Sequence, residues 1–172
     1  MKIIEALKSI KDLQRKSDDI IGKIAEHCAD LDCEASVYPD QKRQVQEWLQ
    51  SHSDIVKQIL HLRTSIQRTN LATKVSIELG GKHVEKSIAE WIHRRKDLAK
   101  MEELAWKKLT EKGLNNEYKT NLTPKSPDTI VKRRLYFDAS ERDQKIELFR
   151  AEPSKIDSTL EVINAVTDLM EK

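Results

Sequence analysis

The chain has little of what most small-molecule sites and compact β folds require. Its 172 residues include 4 glycines, 4 prolines, 2 cysteines and only 5% aromatics. So few glycines leave no Gly-rich phosphate loop and too few turns for a many-stranded β fold. Two cysteines, Cys28 and Cys33, fall five apart. That spacing puts them on different faces of a helix, so they are expected as reduced thiols of a cytoplasmic protein. No apolar run approaches the ~18 residues of a membrane span. The N-terminal Met1–Lys8 is broken by charge, unlike a signal peptide, so no membrane association is expected. Net charge is +2, from 31 basic and 29 acidic residues. A balance this close gives no overall field toward nucleic acid, and any anion binding has to be local.

Catalytic patterns are missing too. The chain has no nucleophile elbow, no paired-His zinc helix and no calcium loop. His27, Cys28 and Cys33 are close in sequence, but groups so placed on one helix do not converge tetrahedrally on a metal. A non-enzymatic protein with neither metal nor cofactor is the expectation.

What the chain does have is helical periodicity. Ile3, Ala6, Leu7, Ile10, Leu13, Ile20, Ile21 and Ile24 recur at three-four spacing, with Ser17-Asp18-Asp19 a possible bend. Tyr38-Pro39-Asp40 reads as a turn, with Asp40 the N-cap of a second helix carrying Val45, Trp48, Leu49, Ile55, Val56, Ile59, Leu62 and Ile66. Residues 1–70 are therefore expected to form an antiparallel helical hairpin. Its two apolar stripes call for a third helix or a second copy of the chain, so a homo-oligomer is expected.

From Leu71 the period becomes two, around Val75, Ile77 and Leu79, and Gly80-Gly81 predicts a β-hairpin over 71–84. A third helix follows over 85–113, with Ile88, Trp91, Ile92, Leu98, Met101, Leu104 and Ala105 inward and Gly113 as its stop. The remaining region, 129–172, reads as a strand over Thr129–Phe137, a short helix capped by Ser140 and ended by Pro153, and a last helix. The fold class is mostly α, a single helical domain with one small β-hairpin.

Functional candidates are polar residues that interrupt apolar stripes. The stripe of the second helix runs into Arg68, Thr69 and Asn70. In the third helix Arg95 stands between Trp91 and Leu98 where an apolar residue is due. In the Lys132-Arg133-Arg134-Leu135-Tyr136-Phe137 segment, Arg133 falls on the apolar face of the expected strand, with Arg134 and Tyr136 on the other. A guanidinium is buried only where an anion meets it. The forks of Arg68, Arg95, Arg133 and Arg134, with Thr69 and Asn70, would suit phosphate oxygens, and Trp91 or Tyr136 could stack on a base. The alternative is that Asp138, Glu141, Asp143 and Glu152 absorb the arginines in an internal network.

Several of these segments resemble a known family. They are Ile66–Thr73, the step from Arg95 to Leu98, Arg133–Asp143, and Glu152-Pro153 followed by Ile156-Asp157, Leu160-Glu161 and Asn164. In them the chain resembles the septicolysin-like proteins of bacteria and phages over nearly its full length. The resemblance implies a helical, self-assembling protein, and the family label implies pore formation.

Three functions follow as expectations. The first is an oligomeric binding protein for a small phosphate-bearing ligand, such as a nucleotide-derived signal that it sequesters. The second is an assembly scaffold whose arginines pair internally. The third is a pore-forming protein.

Overall fold

A computed structural model describes residues 1–110 and 134–170. It is mostly α-helical with a two-stranded antiparallel sheet. The elements are α1 (Ile3–His27), α2 (Gln41–Ala72), β1 (Lys74–Leu79), β2 (Lys82–Ser87), α3 (Ile88–His93), a π-helical turn (Arg94–Leu98), α4 (Ala99–Lys107) and α5 (Ala139–Val166). They group into two compact units. The first holds Met1–Lys74, Ser87–Ala89 and the chain from Leu160; the second holds Val75–Lys86 and Glu90–Thr159.

In the first unit α1 and α2 form the expected hairpin. Ile3, Ala6 and Ile10 are buried where the periodicity put them. Ser17-Asp18-Asp19 does not interrupt α1. Ser17 is small and half-buried on the inner side, while the two aspartates face solvent, so none of the three needs to break the helix. Asp40 is the N-cap of α2, its Oδ1 accepting the Arg43 N–H at 3.0 Å. At the connecting end, the rings of His27, Tyr38 and Trp48 pack with centroids 5.4–5.7 Å apart. Gln41 Nε2 also donates to the His27 carbonyl there, at 2.7 Å. Cys28 and Cys33 are free and exposed.

The other end of this unit is closed by the C-terminal residues. Ile3 N–H donates to Thr167 O, and Leu169 N–H to Met1 O. Lys2 Nζ reaches Asp168 at 2.7 Å and the Val166 carbonyl at 2.8 Å. The ammonium thus meets one of the carbonyls that the end of α5 leaves without a helical donor.

The second unit contains most of the β-hairpin. Val75 and Ile77 are buried and their neighbours exposed, the period of two that the sequence showed. Gly80 and Gly81 have φ of +58° and +77°, the left-handed values a tight hairpin turn of type I′ needs at both central residues. The hairpin starts later than expected and runs to Ser87, and the helix after it starts at Ile88.

The chain between Ile88 and Lys107 departs from the predicted helix in register. Trp91 and Ile88 are buried as expected, but the next wholly buried residue is Ala99. The π-turn inserts an extra residue between those sites, which rotates Leu98, Met101 and Leu104 outward and turns Ala99 and Glu103 in. The expected stop at Gly113 lies outside the described residues.

α5 corrects three further expectations. Arg134–Asp138 is irregular, with a bend at Tyr136-Phe137, not the end of a strand, and residues 129–133 lie outside the described range. The helix is capped by Asp138 instead of Ser140, its Oδ1 accepting the Glu141 N–H at 2.8 Å. Pro153 does not end it, since α5 runs through to Val166. A proline removes one helical hydrogen bond and strains the preceding turn, but its fixed φ is helical. Buried Phe149, Glu152, Ile156 and Leu160, spaced at three and four residues on both sides of the ring, supply the packing that holds the helix together.

Candidate functional site

The densest polar cluster of the second unit is built around Arg94, the first residue of the π-turn. Its Nε and Nη2 each donate at 2.7 Å to the two oxygens of Glu152, a bidentate fork. Nη1 donates to Glu102. The guanidinium lies 5.8 Å from the centroid of the Phe149 ring. The Glu152 side chain is 2% exposed and that of Arg94 17%. Hydrogen bonding to Glu152 drives the Arg94 pKa above its already high ordinary value, against the opposing effect of burial. This guanidinium therefore stays charged at any pH at which the protein is folded.

Further ion pairs belong to the same unit. Arg95 Nη1 donates to Asp157 Oδ1 at 2.6 Å, with both side chains well exposed. Glu103 accepts from Lys107 at 2.6 Å and from Arg150 at 3.2 Å. Its carboxyl pKa is lowered, first by Lys107 and then by Arg150, with desolvation opposing. Arg142 bonds Asp143 at 2.8 Å and the Leu109 carbonyl at 3.1 Å, with Phe137 under its guanidinium at 5.6 Å. The Asp143 carboxyl is lowered chiefly by its bond to Arg142. Chemically the cluster is a set of ion pairs joining the π-turn and α4 to α5. Glu152 directs both oxygens to Arg94 and its side chain is 2% exposed, so it is turned into the protein and away from solvent.

The residues expected to line a ligand pocket are distributed differently. Arg68, Thr69 and Asn70 belong to the first unit. Arg68 is exposed. Thr69 is wholly buried, its hydroxyl donating to Ser65 O at 2.8 Å and accepting the Met170 N–H at 2.9 Å. It ties the C-terminal residues to α2 and has no surface for a ligand. Asn70 Oδ1 is buried and finds no hydrogen-bond donor among the described residues.

Trp91, Arg95, Arg134 and Tyr136 belong to the second unit, and Arg133 lies outside the described residues. Trp91 has no exposed surface and its Nε1 donates to Val75 O at 2.9 Å, so it anchors β1 and offers no face to a base. Arg95, predicted inward, is a partly exposed ion-pair member; its neighbour Arg94 has the buried place. Arg134 is exposed, and Tyr136 is 89% exposed. Sequence reasoning missed Arg94 because helical counting ran through the π-turn. The one available signal was Glu152 among the carboxylates expected to absorb an arginine.

No protein-family model matches the chain, and no curated protein does. Among solved structures it is similar to the crystal structure of a functionally unknown conserved protein from Corynebacterium diphtheriae. The two share 18% sequence identity, the match covers 99% of each chain, and the TM-score is 0.56. That likeness shows the fold alone.

Proposed function

We propose that this chain is a non-enzymatic helical protein that works as a homo-oligomer, with its buried arginine fixing the packing of its own helices. The observation that carries this reading is that Arg95, predicted to hold a ligand anion, meets Asp157, while its neighbour Arg94 gives all three guanidinium nitrogens to Glu152 and Glu102 of the same chain. A guanidinium so saturated orders helices and has no fork to spare for a phosphate. The hairpin meanwhile leaves Leu7, Ile21, Leu49, Val56 and Leu60 exposed, more apolar surface on two adjoining helices than scattered single residues account for. Light scattering at micromolar concentration tests the reading. It predicts a mass that is a multiple of the 19.9 kDa chain, and a monomer at all concentrations refutes it.

A second reading keeps a small phosphate-bearing ligand. It is favoured by Arg68, which has no carboxylate partner among the described residues, and by the unmatched Asn70 Oδ1. Such a site would lie in the first unit and draw on Arg68 and Asn70, without Thr69. Native mass spectrometry of protein purified from cells separates the two readings. A retained small molecule, lost in an Arg68→Ala variant, supports the ligand; bare oligomers support the scaffold.

A further inference from the structure

One side of the hairpin has a groove of about 490 Å³ between α1 and α2. Ser17 and Ile59 lie along it, Val56 and Gln14 stand beside them, and a single charged side chain from each helix borders it: Asp18 from α1 and Arg63 from α2. Neither charge has an ion-pair or hydrogen-bond partner among the described residues, unlike Arg43, Lys57 and Arg15 on the same hairpin, which all pair within one helix. Ile21 lies one turn beyond Asp18, and Leu49 one heptad before Val56, both exposed. The surface thus carries Val56 and Ile59 among polar side chains, with one unpaired anion and one unpaired cation on opposite walls of a shallow channel.

From this arrangement we infer that the groove is the contact surface for a second copy of the chain, related by a two-fold axis; the inference rests on the homo-oligomer reading above. A two-fold interface sets one surface against itself, so it has to be self-complementary. An axis passing midway between Asp18 and Arg63 meets that requirement. It places Asp18 against the partner's Arg63 and Arg63 against the partner's Asp18, with the α2 wall of each copy facing the α1 wall of the other. Two hairpins so joined form a four-helix arrangement, which buries stripes that one hairpin leaves open. An unrelated partner would need a matching cation and anion of its own. A second copy supplies both by symmetry.

Charge reversal with compensation tests the inference, because Asp18 and Arg63 are exposed and their replacement leaves the core intact. Asp18→Arg alone would oppose arginine to arginine twice per dimer, and Arg63→Asp alone would oppose aspartate to aspartate. Each is expected to weaken dimerisation by roughly tenfold or more, as like charges set face to face do. The double variant Asp18→Arg/Arg63→Asp restores the pairs with their signs exchanged and is expected to return to nearly wild-type association. Sedimentation equilibrium gives the dissociation constants, and circular dichroism checks that each variant is folded. Weak single variants with a rescued double establish the surface. Association that the single reversals leave unchanged overturns this surface while the homo-oligomer reading stands. A wild-type chain that stays monomeric overturns both.

Discussion

Glu152 lies 58 residues beyond Arg94, yet its two carboxylate oxygens receive two parallel guanidinium bonds, each 2.7 Å long. Of the ion pairs described, this one combines a nearly buried acid with a shielded base. The others have at least one well-exposed member, and exposed pairs contribute roughly 0–1 kcal/mol. A fork formed out of water differs in kind: the pair adds little over an apolar replacement, but removing one partner strands the other.

Arg94→Ala is accordingly expected to destabilise the protein by about 3–5 kcal/mol, because Glu152 would be left charged and buried. Arg95→Ala, which frees only a solvated Asp157, should cost about 1 kcal/mol or less. Replacing both members of the buried pair, with Arg94→Met and Glu152→Leu, should recover most of the loss. Urea denaturation of the four proteins measures these differences. Similar losses for Arg94→Ala and Arg95→Ala would show that the π-turn register is wrong.

The acid limb of stability should depend on Lys2. Asp168 has its pKa lowered below 3.8, chiefly by the Lys2 ammonium. A carboxyl whose folded pKa lies below its unfolded value contributes stability that is complete above the unfolded value. That contribution is lost as pH falls through the lower folded value. Glu103 and Asp143 are shifted in the same direction and add to the same limb. In Lys2→Met the Asp168 contribution disappears, so stability should fall less steeply on acidification below about pH 4. It should also be lower at neutral pH, where the bond to Val166 O is lost as well. Urea midpoints recorded from pH 7 downward would reveal this; parallel curves for the two proteins would rule out the linkage.

Gly80 and Gly81 should respond unequally to a methyl group. Both have positive φ, so alanine strains either one. At Gly80 the added carbon would also run into Cδ1 of Leu148 on α5, whereas at Gly81 it meets nothing. Gly81→Ala is expected to cost roughly 1 kcal/mol and Gly80→Ala somewhat more, because the Leu148 end methyl has to turn aside. Adding Leu148→Ala to Gly80→Ala should relieve the clash and leave the backbone strain. Thermal melts of these variants give the comparison, and equal effects at the two glycines would mean that the turn does not approach α5.

Much of the fold was legible because local periodicity carried it. The stripe through Ile3, Ala6 and Ile10, the alternation at Val75 and Ile77, the Asp40 cap and the Gly80-Gly81 turn are each encoded within a few neighbouring residues. Helix and strand geometry repeat at that scale. The candidate site was far less legible. Arg95 was chosen over Arg94 by counting at helical spacing, and a single inserted residue in the π-turn moved the buried place by one position. Tyr136 read as part of a strand because its neighbours alternate, but an alternating run becomes a strand only where another strand pairs with it. Pro153 read as a boundary, since a proline is weighed locally and the packing of Phe149, Glu152 and Ile156 on either side is not. By itself, then, the sequence determined most of the helical segments, the Asp40 cap and where the hairpin turns. Tertiary structure decided which arginine enters the interior, which carboxylate receives it and which apolar residues remain outside. Those outcomes depend on contacts between residues tens of positions apart, and burial of a charge is settled only when its partner arrives.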